Sequence, residues 1–206
     1  MEIVKLDLFS CHDIVLEIAS IYKKVFGGEP WNEGWLCPVC KENLPLSVKI
    51  TSCPTCDKQG KSVLLMEFWT TTQIITDLYR ELCKPKAECF IAKENNCIVG
   101  FAWGYLMSVV VSPPNETNPI DLTLDAPGLG QIISGEYFYL DECAVLEEHR
   151  GQGIGKKLTE TLCHSQTEIP KLLRTKHGSI MENLVTGLGG KTLLKISRER
   201  VIMTIG

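Results

Sequence analysis

The stretch that decides the fold is residues 150–157, which read RGQGIGKK and lie between a strand-forming segment and a helical pattern. Glycines at the start of a helix let consecutive backbone N–H groups face one point, and the helix dipole favours an anion there. Arg150 adds a guanidinium that can pair two phosphate oxygens, while Lys156 and Lys157 add positive charge nearby. The stretch therefore predicts a phosphate-binding turn.

The turn matches neither of the two common nucleotide-binding fingerprints. Gly-x-Gly-x-x-Gly fails at residues 151–156, and no Gly-Lys-Ser/Thr sequence of a P-loop is present. A plainer interpretation is also open, namely a tight strand-to-helix turn whose lysines only face solvent. Residues outside the turn decide between the two.

Periodicity of the apolar residues predicts the elements on either side of the turn. Helices are expected over 14–26, 70–83, 153–166 and 179–188, and strands over 2–8, 88–93, 98–111, 136–146, 171–175, 192–197 and 201–205. Asp13 and Ser179 are expected to cap the first and last of these helices. The proline- and glycine-rich stretch 112–135 predicts an irregular loop, and loops of that length are often functional lids.

Residues 139–145, YLDECAV, come before the turn, and the pattern Arg-x-x-Gly-x-Gly is complete at 150–155. Together they resemble the acetyl-CoA-binding motif of the GNAT superfamily of N-acetyltransferases. The predicted order of strands and helices is similar to that family along nearly the whole chain. The resemblance implies an α/β (α+β) fold of the acyl-CoA N-acyltransferase type over residues 1–206, with a central mixed twisted sheet flanked by helices.

The resemblance also implies where the co-substrate acetyl-CoA binds. The family's sheet is splayed between its fourth and fifth strands, and the pantetheine arm pairs with main-chain groups of the fourth, here Cys143, Ala144 and Val145. A main-chain N–H there stabilises the oxyanion formed from the thioester. The pyrophosphate is implied to lie on the turn itself, on Arg150, Gly151, Gln152, Gly153, Ile154, Gly155 and Lys156.

Acyl transfer from a thioester to a primary amine needs a neutral amine, a stabilised oxyanion and a proton for the thiolate. An alkyl ammonium titrates at about pH 10, so a carboxylate must accept its proton. Asp141 and Glu142 are the candidates, and the two-residue period of a strand places them on opposite faces. Glu142 is favoured, with Glu136 as the second choice. The alternative is that these acids only solvate a strand edge or pair with basic side chains.

The sequence indicates the proton donor for the thiolate less directly than it indicates the base. Many members of the family carry a tyrosine on the fourth main helix, and Val185 occupies that position in the matching segment 184–190. Water, Tyr137 or Tyr139 could protonate the thiolate instead. The predicted activity is direct transfer of an acetyl group to a primary amine of a small molecule or protein. The alternative is a non-catalytic acyl-CoA-binding or partner-binding module.

Two Cys-x-x-Cys pairs, Cys37 with Cys40 and Cys53 with Cys56, are separated by twelve residues. Four thiolates give the closed tetrahedral coordination of structural zinc, with no open position for catalysis. A redox pair of the thioredoxin type is a weaker alternative, because the flanking βαβ unit is missing. The pattern predicts a structural Zn²⁺ in a zinc-ribbon-like knuckle, inserted at residues 29–61 between the first two helices.

The position of this insertion leaves two roles open. In the family, the connection between the first two helices borders the acceptor site, so Trp31 and Trp35 either form a wall of that site or pack the knuckle on the domain. Zinc ribbons also bind nucleic acid, but the lysines of the insertion are few and are offset by acids. A small-molecule or protein acceptor is therefore expected rather than RNA or DNA.

Composition and charge agree with a soluble globular protein. A formal net charge of −4 gives no general attraction to nucleic acid or to anionic membranes. No stretch approaches the roughly 18–20 apolar residues of a membrane span, and the N-terminus lacks the pattern of a secretory signal. The expected location is the cytoplasm, where thiols stay reduced, and a homodimer is compatible with the sequence.

Overall fold

The computed structural model describes residues 1–7, 12–111, 124 and 126–206 of the chain. Its helices are α1 (His12–Phe26), α2 (Pro54–Asp57), α3 (Thr71–Leu82), α4 (Leu129–Ile132), α5 (Ile154–His164) and α6 (Ile180–Gly187), with a 3-10 helix at Glu147–His149. Its strands are β1 (Glu2–Lys5), β2 (Trp35–Leu36), β3 (Asn43–Leu44), β4 (Met66–Glu67), β5 (Glu88–Glu94), β6 (Cys97–Val109), β7 (Gly135–Val145), β8 (Lys171–Lys176), β9 (Lys191–Lys195) and β10 (Arg200–Ile205). Within these ranges, none of the helices has the length and apolarity that crossing a bilayer requires. Of the predicted irregular loop at 112–135, residues 112–123 and 125 lie outside the described residues, whereas Leu129–Ile132 form the short helix α4, which the pattern did not predict.

Seven strands form one sheet in the order β1-β5-β6-β7-β8-β10-β9. The sheet is mixed, because β10 is antiparallel to both β8 and β9 whereas β7 and β8 run parallel. Each strand and helix predicted from periodicity is present, with ends that differ by a few residues. The predicted α/β fold, a central mixed sheet flanked by helices, is therefore confirmed.

Parallel pairing between β7 and β8 is short. The register matches Phe138 with Lys171 and Tyr139 with Leu172. β7 continues to Val145, while β8 pairs with β10 along its whole length. In the described pairing the two strands thus separate after Tyr139, as the resemblance implied for the fourth and fifth strands of the family.

The chain divides into two compact units. The first comprises Met1–Arg80, Ile91–Phe101 and Ala144–Gly155. The second comprises Glu81–Phe90, Ala102–Cys143 and Lys156–Gly206. The long strands β5, β6 and β7 contribute residues to both units.

The core of the first unit is organised around Tyr22 on α1. The Tyr22 ring stacks parallel to that of Phe101 with centroids 6.4 Å apart, and it meets the ring of Trp69 edge-on at 6.1 Å. Val15 and Ile18, on the same face of α1, are fully buried. The spacing of these apolar residues, three and four positions apart, is why the segment forms an amphipathic helix.

The two predicted helix caps have different outcomes. α1 begins at His12, so Asp13 lies inside the first turn, where its charge suits the positive end of the helix dipole. The predicted capping role of Asp13 is therefore wrong. Ser179 does cap α6, because its Oγ accepts a hydrogen bond from the N–H of Glu182.

The insertion forms its own small sheet in the order β3-β2-β4. This sheet extends past the predicted boundary at residue 61, because its third strand is Met66–Glu67. Leu46 anchors the insertion to the end of α1: its N–H donates to the carbonyl of Gly27 over 2.6 Å. A side chain at Gly34 would overlap the Leu46 backbone, so this close approach depends on a glycine.

In the second unit, the buried side chains of Tyr105, Tyr139 and Leu172 belong to one apolar cluster. β6 and β7 approach closely at Gly104. A Cβ atom there would overlap the carbonyl oxygen of Tyr139 and lie 2.8 Å from the ring of Phe138. The strand that carries the predicted site is therefore held tightly on this side.

Replacing Gly104 with alanine should lower the free energy of unfolding by about 1–3 kcal/mol, because the methyl group overpacks the contact between β6 and β7. Gly187→Ala is the matched control, since no atom lies within 4 Å of a Cβ at that position. Urea unfolding followed by circular dichroism measures both variants. Equal stability of Gly104→Ala and the wild type would show that the strands move apart without cost.

Candidate functional site

The predicted phosphate-binding turn joins β7 to α5. Gly151 and Gly153 both have a φ of 77°, in the left-handed region where a side chain is strained. The Nε of Arg150 donates to the carbonyl of Val145 over 3.2 Å, which ties the start of the turn to the end of the strand. Ile154 is buried beneath the turn while residues 151–153 are exposed. The turn therefore presents open backbone at the start of a helix.

The segment leading into the turn is held within the first unit. The N–H of Leu146 donates to the carbonyl of Val99 over 3.0 Å, and Nδ1 of His149 lies 3.0 Å from Oε2 of Glu94. Both contacts reach the β5-β6 hairpin, whose position is set by the sheet. The start of the turn is thus tied to the sheet, and such preorganisation lowers the entropy cost of binding a ligand.

Arg150 also lines a cavity of about 680 Å³ in the first unit. Its other walls are the end of α1, part of the insertion and the segment before the turn, represented by Gly28, Leu46 and Glu147. Among the described residues, Trp31 and Trp35 do not line this cavity. The insertion thus contributes a wall beside the turn, through different residues from those singled out in the sequence.

Near the end of β7 lie the residues predicted to pair with pantetheine. Ala144 is buried, and the Sγ of Cys143 lies 3.8 Å from Oγ1 of Thr159 on α5. Burial raises the pKa of Cys143 to about 11. A thiol with this pKa is protonated at neutral pH, so Cys143 is a packing residue and a poor nucleophile.

Asp141 meets a second carboxyl group, Glu81 at the end of α3. The indole Nε1 of Trp103 on β6 donates to Oε2 of Glu81 over 2.9 Å and to Oδ2 of Asp141 over 3.3 Å. Burial first, and then a hydrogen bond with Glu81, raise the pKa of Asp141 well above its ordinary value. The two carboxyl groups therefore form a pair that holds a proton beyond the pH at which an ordinary aspartate loses it.

The other predicted proton-transfer residues have different surroundings. Glu142 is half-buried on β7, and its charge further raises the pKa of Asp141. Tyr139 is buried against the ring of Tyr105, with centroids 5.6 Å apart, and burial raises its pKa. Glu136 is exposed at the start of the strand.

The four predicted metal ligands converge. The Sγ atoms of Cys37, Cys40, Cys53 and Cys56 all lie within 4.8 Å of one another. The pair Cys37 and Cys56 is 3.7 Å apart, and the pair Cys40 and Cys53 is 3.5 Å apart. A tetrahedral zinc ion at about 2.3 Å from each sulfur requires sulfur atoms about 3.8 Å apart. The cluster therefore fits zinc, and its sulfur distances exceed the roughly 2.05 Å of a disulfide.

Backbone amides of the cysteine turns face the sulfur atoms. The sulfur of Cys37 accepts from the N–H of Cys40, and that of Cys53 accepts from the N–H of Cys56. Burial disfavours the Cys37 thiolate, but hydrogen bonds from the N–H groups of Cys40 and Val39 and from the side chains of Cys40 and Cys53 favour it more, and the pKa of Cys37 falls to about 6. The described apolar residues that pack against the cluster are partly buried: Val63 and Leu65.

Glu81 carries a sequence signal that the apolar pattern alone does not weigh. Ile74 and Leu78 form the buried face of α3, and Glu81 continues that face three positions after Leu78. An acid on the buried face of a helix indicates a paired or functional group. Trp103 gives no comparable signal, because a tryptophan within an apolar strand is ordinary.

A glycine turn that follows a strand leaving its parallel neighbour defines an acyltransferase fold. The chain matches the model of the acetyltransferase (GNAT) family over residues 59–168, just over half of its length. The chain therefore belongs to the acetyltransferase (GNAT) family. No curated protein matches it at a significant level.

Solved structures with the same fold cover nearly the whole chain. PH1933 from Pyrococcus horikoshii OT3 has 16% identity and a TM-score of 0.57, over 98% of this chain and 96% of that one. The aminoglycoside 6'-acetyltransferase type Ii has 12% identity and a TM-score of 0.54, over 100% and 96%. A histone acetyltransferase HPA2 and related acetyltransferase from Corynebacterium glutamicum ATCC 13032 has 12% identity and a TM-score of 0.57, over 99% and 96%. At these identities the likeness shows a shared fold alone.

Cys143 should resist alkylation by iodoacetamide at pH 7.5, because a pKa near 11 instead of 9.0 lowers its thiolate fraction roughly a hundredfold. Cys83 and Cys97 are exposed and serve as internal controls that should react. Peptide mass spectrometry over a time course measures all three. Labelling of Cys143 as fast as that of Cys97 would contradict the assignment of a packing role.

Proposed function

We propose that this protein is an acetyl-CoA-dependent N-acetyltransferase that acts on a primary amine of a small molecule or a protein. One observation carries the proposal: a glycine turn with an open helix start directly follows β7, the strand that separates from β8. Acetyl-CoA carries both a pyrophosphate and backbone-like amides. The turn suits the pyrophosphate, and the strand edge suits the amides.

Each part of the site has a task in this proposal. The N–H groups of residues 151–155 hold the pyrophosphate, and Arg150 pairs its oxygens. Lys156 adds positive charge from the first turn of α5, where its Nζ lies 3.7 Å from Oε1 of Glu160. The backbone of residues 143–145 pairs with pantetheine, and an N–H there stabilises the oxyanion.

The amine attacks the thioester directly, without an acyl-enzyme intermediate. The raised pKa of Cys143 supports this, because the strand offers no thiolate at neutral pH. Glu142 is the proposed base that accepts the ammonium proton. Asp141 is less suited to that task, since burial and the neighbouring Glu81 carboxyl group raise its pKa and favour its protonated form.

The four-cysteine cluster is the proposed site of a structural zinc ion, which would stabilise the insertion and take no part in the chemistry. The insertion lines the cavity beside Arg150, which supports a role in selecting the acceptor. Proteins of similar fold include one named for aminoglycosides and one named for histones, so both kinds of amine belong in the test.

A non-catalytic acyl-CoA-binding or partner-binding module is the alternative. The observation that favours it is the fully buried Val185, which occupies the position of the family's proton-donating tyrosine. Turnover of the thioester in the presence of any amine would exclude this alternative.

Release of free thiol from acetyl-CoA tests the proposal, with spermidine, kanamycin, lysine and a lysine-containing histone peptide as acceptors. We expect amine-dependent release, and Glu142→Gln should lower kcat/KM by about 100- to 10,000-fold because the base is lost. Glu168→Gln, an exposed glutamate in the turn before β8, is the matched control. A loss in Glu136→Gln instead would reassign the base. Tight acetyl-CoA binding without thiol release would favour the binding module.

Purified protein should contain about one zinc ion per chain. Cys56→Ser should lose the metal and melt at a lower temperature, because the buried cluster loses a ligand. Cys97→Ser, an exposed cysteine outside the cluster, should keep both the metal and the melting temperature. Inductively coupled plasma mass spectrometry and thermal melts measure these outcomes. Metal-free protein with the stability of the wild type would disprove the zinc site.

A further inference from the structure

Three side chains from three elements meet at one partly buried place in the second unit: Glu81 on α3, Trp103 on β6 and Asp141 on β7. The Trp103 indole N–H reaches an oxygen of each carboxyl group, at 2.9 Å and 3.3 Å, so the two groups lie close together. Two ionised carboxylates repel each other at such a separation, so the pair favours a state in which one of them keeps its proton. The Trp103 N–H faces both groups and stabilises the single negative charge that remains.

The surrounding charges favour a shared proton. Glu142 is a third carboxyl group whose charge acts on Asp141. The phenols of Tyr105 and Tyr139 are buried beside the pair and remain neutral. The Nζ of Lys84 lies 3.5 Å from the centroid of the Tyr105 ring, and Arg174 donates to a backbone carbonyl over 2.7 Å. With three acids this close together, the least costly arrangement keeps one of them protonated.

The proposed reaction needs a group that donates a proton to the departing thiolate. The family's usual donor is a tyrosine, and this chain has Val185 at that position. Val185 is fully buried, and a Cβ on Gly190 would lie 2.5 Å from its side chain, so this position is packed with carbon. Asp141 precedes residue 143 by two positions, which is about 7 Å along a strand. Side chains two positions apart on a strand point to the same face, so a thioester held at residue 143 would lie on the same side of the strand as the Asp141 side chain.

We infer that Asp141 donates the proton that the departing coenzyme A thiolate needs, and that Glu81 and Trp103 are positioning residues that keep this proton in place. The inference rests on the proposed acetyltransferase function. It assigns different tasks to the two neighbouring acids of β7, with Asp141 as the acid and Glu142, on the opposite face of the strand, as the base that acts through a water molecule. Burial and the neighbouring Glu81 favour the protonated form of Asp141, as a proton donor requires.

The proton balance closes with these groups. Glu142 takes a proton from the ammonium, the nitrogen–carbon bond forms, the carbon–sulfur bond breaks, and the Asp141 proton passes to sulfur. The nitrogen releases its other excess proton to water as the amide forms. Glu142 then returns its proton to water and the carboxyl pair regains one from water. The net reaction releases a proton for each acetyl group transferred, as the chemistry of an ammonium acceptor requires.

The dependence of kcat on pH tests the inference, with acetyl-CoA and the fastest amine of the panel above. In the wild type, kcat should fall as the pH rises through the loss of the Asp141 proton. Glu81→Gln should move this fall to lower pH, because the partner that raises the Asp141 pKa is removed. Trp103→Phe should move it to higher pH, because the donor that stabilises the ionised pair is lost. Asp77→Asn, on the same helix as Glu81 and paired with Arg80 on the surface, should leave the fall in place.

Infrared spectra of the protein without substrates provide a second test that does not depend on the acceptor. The wild type should show a protonated-carboxyl band at neutral pH that Asp141→Asn abolishes, that Glu81→Gln shifts to a lower titration midpoint and that Asp77→Asn preserves. Absence of this band, or a fall in kcat that neither Glu81→Gln nor Trp103→Phe moves, would overturn the inference while leaving transferase activity intact. A band without thiol release on any amine would instead overturn the proposed function, and with it the donor role.

Discussion

The separation of β7 from β8 after Tyr139 is the constraint on which the rest of the site depends. Backbone N–H and C=O groups inside a protein need partners, and a strand that leaves its neighbour exposes them along one edge. On the other side, Gly104 holds β6 tightly against β7. The open edge is therefore a fixed feature of the sheet, and it leads straight into the glycine turn at 151–153.

Successive side chains of β7 point to opposite faces, so neighbouring acids on this strand have different surroundings. Asp141 and Glu142 are adjacent in sequence, yet only Asp141 is drawn into the pair with Glu81 beneath the Trp103 indole. Burial and the Glu81 carboxyl group raise the pKa of Asp141, which sets it apart from an ordinary aspartate. In the proposed mechanism, this strand supplies both the base and the acid of the acyl transfer.

Local patterns explain which parts of this arrangement the sequence predicts. The glycine turn and the cysteine cluster are encoded by short spacings, and the helices by apolar periodicity, so all of them appear where expected. The pair of Glu81 and Asp141 joins residues sixty positions apart, and its existence depends on how α3 is placed against the strands. Two-residue strands such as Met66–Glu67, which lies beyond the predicted insertion at 29–61, similarly have no periodicity to detect.

The insertion, which carries the four-cysteine cluster, contributes to the surroundings of the glycine turn through Leu46. Leu46 lies between the two cysteine pairs, in a segment whose ends are brought together by the Cys40 and Cys53 sulfur atoms at 3.5 Å. Closing a segment at both ends removes much of its conformational entropy, so its middle keeps a defined place. Leu46, in the middle of this segment, donates a hydrogen bond to Gly27 at the end of α1 and lines the cavity that Arg150 also lines. A change in the cysteine cluster is therefore expected to alter the cavity that Leu46 and Arg150 line beside the glycine turn.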